Sequence, residues 1–163
     1  RIMPALQSIR ARFPGALISV DTYHSEVARV AVEAGADIIN VSTGNTVEQQ
    51  KPQIGRMWQT PFSDAVRHTA NIPTITTGYI QDIDQINTIL LNGRADLVGL
   101  GRPLLLDPNF VRQAQAYENF RPDDIPAAYM MGTSHLYPYQ AAARKEKENM
   151  RKALKPESHK KRA

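Results

Sequence analysis

Short apolar runs alternate with segments of helical period along most of this chain, and the same joint occurs twice. Glu33-Ala34-Gly35-Ala36-Asp37-Ile38-Ile39 and Leu91-Asn92-Gly93-Arg94-Ala95-Asp96-Leu97 share one form. In each, a helix ends at glycine and Ala-Asp leads into an apolar strand. Around these joints the spacing predicts helix over Met3–Phe13, with Met3, Leu6, Ile9 and Phe13 in period and Pro14-Gly15 as the stop. A strand over Ala16–Val20 ends at Asp21. Ser25 is expected to cap a second helix, with Val27, Val30, Ala31 and Ala34 on one face, before a strand over Ala36–Val41. Thr60 is expected to cap a third helix with Pro61 at its first position. A strand over Ile72–Thr77 follows and ends at Gly78. Asp82 opens a helix carrying Ile83, Ile86, Ile89 and Leu90, and a strand over Ala95–Leu100 ends at Gly101-Arg102. Beyond lie a short helix around Pro108–Ala116, an irregular stretch with prolines, and a last helix from about Pro138 to Leu154.

Unbroken strand–helix alternation, with strands that read as apolar on both faces, implies an α/β fold with a parallel sheet covered by helices. Four β/α units make about half of a parallel (β/α) TIM barrel, since a complete one takes roughly 250 residues and the chain has 163. The expected division is a half-barrel over residues 1–120 and a C-terminal segment with helix and basic tail over 121–163. A parallel half-barrel leaves two free edges, so closure by a homodimer or by a partner completing the barrel is expected.

Cysteine is absent, which removes disulfides, thiolate metal sites and a cysteine nucleophile. His24, His68, His135 and His159 show no metal-ligand spacing, so no metal is expected. No apolar run approaches the roughly 18 residues of a membrane span. Arg1-Ile2-Met3-Pro4 lacks the apolar stretch of a signal peptide, and the expectation is a cytoplasmic chain away from membranes. Net charge is +4, with lysine and arginine dense from Arg144 to Arg162. No aromatic residue is interleaved there to stack on bases, so a solvated helix and tail is expected and no nucleic-acid partner.

In parallel β/α folds ligands bind at the C-terminal ends of the strands. Here those ends read Asp21-Thr22, Asn40 to Gly44, Thr76-Thr77-Gly78 and Gly101-Arg102. Glycine lets a backbone N–H approach a ligand closely. A guanidinium forks onto phosphate oxygens, and a barrel's usual phosphate site lies after its last two strands. Gly78, Gly101 and Arg102 fit that description. The alternative is that the glycines serve tight turns and Arg102 is a surface charge. No catalytic residue stands out. The polar stretch Ser42–Met57 is long enough for a lid and is expected to be the most mobile ordered segment without ligand. Its Met57 and Trp58 beside it could cover a flat ring or simply pack. Tyr79 could flank a ring or face solvent.

Ile72-Pro73-Thr74-Ile75-Thr76-Thr77-Gly78 and the run from Gly93-Arg94-Ala95-Asp96 to Gly101-Arg102-Pro103-Leu104-Leu105-Leu106-Asp107-Pro108 resemble the end of an Old Yellow Enzyme barrel. Gly55-Arg56-Met57-Trp58-Gln59-Thr60-Pro61-Phe62 and Tyr137-Pro138-Tyr139-Gln140 are similar to the reductase-like half of the bacterial aminobenzoyl-CoA and salicylyl-CoA monooxygenases within that family. The resemblance covers about Ser42 to Leu154. It implies an NAD(P)H-dependent flavin oxidoreductase acting on a small-molecule substrate, with the FMN phosphate held by Gly78, Gly101 and Arg102. The family's His-Asn or His-His substrate pair, its proton-donating Tyr and its first flavin-ring contacts come from earlier strands that this chain is too short to contain.

Residues 1–40 resemble a different family. Ile18-Ser19-Val20-Asp21-Thr22-Tyr23, Glu26-Val27-Ala28 and Glu33 to Asn40 look like the middle of dihydropteroate synthase. That resemblance implies that Asp21 and Asn40 hold a pterin ring. A carboxylate accepts from ring N–H and exocyclic amine, and an amide both donates and accepts. Otherwise Asp21 caps the next helix and Asn40 caps a turn. The two resemblances meet near Ile39–Ser42. One barrel drifted toward both patterns, or two barrel pieces joined at a shared strand, would each give that. A non-catalytic half-barrel scaffold and a pterin-binding transferase fragment therefore stand as alternatives.

Overall fold

The computed structural model describes residues 2–44, 51–121 and 125–153. Four strands, β1 (Ser19–Asp21), β2 (Ile38–Val41), β3 (Thr74–Thr76) and β4 (Leu97–Val98), form one sheet in the order β1-β2-β3-β4. Every neighbouring pair is parallel. Helix α1 (Ile2–Arg12) precedes β1, α2 (Ser25–Glu33), α3 (Thr60–Ala70) and α4 (Ile83–Leu91) connect successive strands, and after β4 come α5 (Arg102–Leu106), α6 (Phe110–Tyr117) and α7 (Ala127–Ala153). The fold class is the α/β arrangement expected. Strand order rises without reversal, as in consecutive units of a β/α barrel, whereas a doubly wound sheet reverses at a switch point. Two compact units divide the chain: Arg1–Pro103, which holds the sheet, and a second unit from Leu104.

Within the unit that holds the sheet, helices cover one face of it, not both as the apolar strands suggested. Right-handed crossovers in an order that never reverses put the connecting helices α2, α3 and α4 on the same side. Burial follows the pleat. Val20, Ile39, Val41, Thr74 and Thr76 are buried. In β1 the flanking Ser19 and Asp21 are exposed, and in β4 Leu97 is 54% exposed. The main core joins Val20, Ile39 and Val41 to Leu6 of α1, Ala28 and Ala31 of α2, and Val66 of α3. A smaller cluster holds Ile80, Ile89 and Ala95 together, with Met57, Val98 and Leu100 packed against it.

Several element ends differ from expectation. The N-cap of α2 is His24, without a side-chain cap bond, and Ser25 is already helical. Gln59 occupies the cap position of α3, and Thr60 lies inside it. At α4 the expected cap is present: Asp82 accepts from the Gln85 N–H. The last helix begins at Ala127 and carries Pro138 inside it. Tertiary contacts hold that helix through the proline. The Tyr137 hydroxyl donates to the Phe120 carbonyl at 2.6 Å, and Arg144 donates to the Tyr117 carbonyl at 2.9 Å. Residue 154 and the basic tail beyond it lie outside the described residues.

The twice-used sequence joint is also one structural device used twice. Asp37 Oδ2 accepts from the Ile18 N–H at 2.7 Å and from Arg10 of α1 at 2.6 Å. Asp96 accepts from the Thr74 N–H at 2.9 Å and from Arg67 of α3 through two nitrogens, at 2.9 and 3.0 Å. Each aspartate thus ties the start of its strand to the preceding strand and to the helix before that. These bonds hold both carboxyls below the usual aspartate range. The Ile18 N–H leads at Asp37, with Arg10 adding to it, and Arg67 leads at Asp96, with the Thr74 N–H adding to it. A folded-state value below the unfolded one contributes stability above the unfolded value, and that stability is lost as pH falls through the folded one. The window therefore lies below about pH 4. Urea unfolding at pH 7 and pH 3 is expected to show a steeper loss for the parent than for the double variant Asp37→Asn, Asp96→Asn. Equal losses would mean that the clamps do not titrate with folding.

Candidate functional site

All five residues singled out from the sequence lie along one edge of the sheet, at or just past the C-terminal ends of the four strands. Asp21 ends β1, Asn40 is in β2, Gly78 follows β3, and Gly101 and Arg102 follow β4. That placement follows from parallel strands joined by helices, since every strand then points its end the same way.

Asp21 does not cap α2. Its carboxylate accepts from Asn40 Nδ2 at 3.3 Å and from Ser42 Oγ at 2.6 Å. Register places Asp21 directly opposite Asn40, so both side chains leave the same face, the one the helices do not cover. Asn40 Oδ1 is buried and has no hydrogen-bond partner. A buried amide oxygen left unpaired costs about 1–3 kcal/mol, and it fits an N–H donor supplied from outside the chain. Ser42 was read only as part of a polar stretch. Its role depends on reaching across to β1, which local sequence does not show.

At the end of β3 the backbone turns through two left-handed residues, Gly78 (φ 95°) and Tyr79 (φ 57°). Tyrosine rarely adopts this conformation, and such strain gathers where the surroundings hold a functional turn in place. Three contacts hold this one. The Met57 N–H donates to the Tyr79 carbonyl at 3.2 Å. Arg56 pairs with Asp82 at 3.1 Å. Gln59 lies beneath Gly78, so closely that a Cβ there would stand 2.7 Å from Gln59 Cγ. Gln59 Oε1 also accepts from the Thr43 N–H at 2.8 Å. One buried side chain therefore braces the ends of both β2 and β3. Nothing in the local pattern marked Gln59.

Arg102 begins α5, and its guanidinium lies over the Tyr79 ring, 5.8 Å from the centroid. The cation after β4 thus stands beside the glycine turn after β3. Gly101 faces open space, with no atom within 4 Å of where a Cβ would be. Tyr79 is 44% exposed and carries the Arg102 guanidinium over its ring, so of flanking a ligand ring and facing solvent, the two roles considered for it, exposure to solvent is the one observed. Met57 packs into the smaller core cluster, and Trp58 lies against Gly44. Both observations favour packing for these two residues. Of the expected lid, residues 45–50 lie outside the described residues. Among the described residues no group of three or more His, Asp or Glu is placed to hold a metal ion, and no helix is long and apolar enough to cross a membrane.

Comparison with known proteins gives two kinds of relative. The chain is 38% identical over 93 residues to an NADPH dehydrogenase of Clostridium acetobutylicum, a match covering 57% of this chain and 27% of that protein. It is 37% identical over 115 residues to an NADPH dehydrogenase of a Geobacillus species, covering 63% of this chain and 34% of the relative. The match thus spans about a quarter to a third of the length of these curated relatives. Among solved structures, 7,8-dihydropteroate synthase from Vibrio fischeri matches at 23% identity with a TM-score of 0.41, covering 73% of this chain and 47% of that one. An aldolase, QR15, matches at 20% identity with a TM-score of 0.46, covering 69% and 51%. The family model for pterin binding enzymes covers residues 1–121, which takes in all four strand ends. On that match the chain belongs to the pterin binding enzyme family.

Proposed function

We propose that the strand ends hold FMN, and that this chain is the phosphate-side part of an NAD(P)H-dependent flavin oxidoreductase of the Old Yellow Enzyme type. The observation that carries this reading is Arg102 stacked over Tyr79 beside the left-handed turn at Gly78. A cation next to the backbone of a glycine turn suits a phosphate. Likeness to the NADPH dehydrogenases supports it. FMN, when bound, supplies hydride transfer, and the protein supplies binding and orientation. In this reading Gly78 and Gly101 offer N–H donors, Arg102 neutralises phosphate charge, and Asn40 Oδ1 accepts from a ring N–H. Likeness to the aminobenzoyl-CoA and salicylyl-CoA monooxygenase subgroup, a small-molecule substrate, a cytoplasmic setting and a partner completing the barrel belong to the same proposal.

A second reading, a pterin-handling transferase fragment, is favoured by one specific group, the carboxylate of Asp21. A pterin edge presents an exocyclic amine and a ring N–H, both donors to a carboxylate. A flavin edge presents an N–H between two carbonyls, so a carboxylate there faces at least one acceptor. The discriminating variant is Asp21→Asn. Removing a charge-assisted bond is expected to weaken a reduced pterin by about tenfold or more, on the basis of roughly 1.5–3 kcal/mol for such a bond. FMN affinity is expected to stay within about threefold. Titrating both ligands against parent and variant decides between them. An FMN affinity that falls with the pterin would place Asp21 on the flavin. Parent protein that binds neither ligand would leave a non-catalytic half-barrel scaffold.

A further inference from the structure

Asp21 is the one carboxylate among the five strand-end residues, and its neighbours leave its charge uncompensated. The two groups that donate to it are neutral: Asn40 Nδ2 at 3.3 Å on Oδ2, and Ser42 Oγ at 2.6 Å on Oδ1. Among the described residues no ion pair includes Asp21. Asp37 and Asp96, before the starts of their strands, are each paired with an arginine. The cation of the strand ends is Arg102, which follows β4, and the sheet order puts β4 three strands from β1. At about 4.8 Å per strand that is roughly 14 Å. Carboxylate and guanidinium therefore act on opposite ends of a ligand that spans this edge.

Asn40 selects which end of the ligand meets the negative charge. Its Oδ1 is buried without a partner, and in the proposed function it accepts from the flavin ring N–H. Asp21 stands opposite Asn40 in register and is bonded to its amide. A ring N–H held at Asn40 thus brings the pyrimidine end of the flavin beside the carboxylate. Charge at that end differs between the two redox states. The oxidised ring system is neutral. A hydride from a reduced nicotinamide adds two electrons and one proton, and the nicotinamide leaves in its oxidised form. The reduced flavin then carries one negative charge, spread over the pyrimidine ring. A like charge nearby disfavours an ionised form. The carboxylate therefore opposes the reduced state and leaves the neutral oxidised state nearly untouched.

We infer that Asp21 lowers the reduction potential of the bound flavin, so that the site passes electrons on to a substrate more readily than it stores them. The inference rests on the FMN reading of the proposed function and adds to it the role of one side chain. Its size follows from two opposing effects. Unit charges at side-chain separations repel by more than a factor of ten in an equilibrium constant, even at an effective dielectric constant of about 20. Asp21 is exposed in the free protein, and solvent and salt reduce that repulsion. The expected contribution is a roughly tenfold preference for oxidised over reduced flavin, which is about 30 mV for a two-electron couple.

Reduction of the FMN-loaded full chain by dithionite, against a redox dye at equilibrium, measures the potential without any turnover. Asp21→Asn keeps a polar side chain of the same size. It is expected to raise the potential by about 30 mV, tightening reduced FMN about tenfold while oxidised FMN stays within about threefold. Ser42→Ala removes a neutral donor from the carboxylate and is expected to move the potential the other way, by less. Asp84→Asn neutralises an exposed carboxylate in the first turn of α4, changes the net charge equally, and is expected to leave the potential unchanged. Circular dichroism checks the fold of each variant. A merely structural role for Asp21 and Ser42 would shift the potential in one direction for both. An Asp21→Asn potential equal to the parent's, or one that Asp84→Asn reproduces, overturns the inference and leaves FMN binding intact. Should Asp21→Asn fail to fold, a Ser42→Ala potential at or above the parent's overturns it instead. Parent protein that takes up no FMN overturns the FMN reading and this inference together.

Discussion

Replacing Arg102 with alanine is expected to weaken FMN binding about ten- to a hundredfold while leaving riboflavin binding nearly unchanged. Gly78 and Gly101 offer only neutral N–H donors, whereas Arg102 brings charge and a fork together. A hydrogen bond to a charged group is worth roughly 1.5–3 kcal/mol net, and about 1.4 kcal/mol is tenfold in affinity. Arg102 is exposed in the free protein, so salt is expected to weaken FMN binding to the parent more than to the variant. Riboflavin lacks the phosphate and acts as the internal control. Titration of both ligands against parent and variant is the measurement. Unchanged FMN affinity makes Arg102 a surface charge that happens to lie over Tyr79. Equal loss of FMN and riboflavin makes it a support for the turn instead.

Gly78→Ala is expected to destabilise the sheet-bearing unit by about 2–4 kcal/mol, from two causes that add at one atom. The backbone there has φ 95°, and a non-glycine residue held in such a region costs on the order of 1–3 kcal/mol. The added Cβ would also stand 2.7 Å from Gln59 Cγ and 2.9 Å from its Cδ and Nε2. Overpacking of that kind costs roughly 1–3 kcal/mol. Gln59 has little freedom to yield, being buried and bonded through Oε1 to the Thr43 N–H. Gly101→Ala provides the contrast. Nothing lies within 4 Å of its Cβ position and its φ is ordinary, so its stability is expected to change by less than about 1 kcal/mol. Urea unfolding followed by circular dichroism compares the two. A Gly78→Ala variant as stable as Gly101→Ala would show that Gln59 moves freely and does not brace the two strand ends.

Much of the fold was legible because its determinants are local. Apolar runs bounded by glycine, a helical period in Ile83, Ile86, Ile89 and Leu90, and an aspartate before that run all act within one or two turns of chain. The strand ends were legible for the same reason, since a parallel sheet makes them a single edge. Helix boundaries were less so. At Ser25 and Thr60 a good capping residue lies one position inside the helix, because the cap is decided by where the preceding chain arrives and not by propensity alone. Pro138 looked like a start and sits mid-helix, because contacts from Tyr137 and Arg144 to the α6 region outweigh the one hydrogen bond that proline removes.

What the sequence determined by itself is the alternation, the four strands, the two Ala-Asp joints and the set of strand-end residues from which a site can be built. Only the tertiary structure decided what those residues do. Arg10 reaches Asp37 across 27 residues and Arg67 reaches Asp96 across 29. Ser42 and Asn40 converge on Asp21 from another strand, and Gln59 fills the space that Gly78 leaves. These are contacts between elements, set by register and crossover hand. No window of sequence contains both partners, and the free energy that selects them belongs to the assembled sheet.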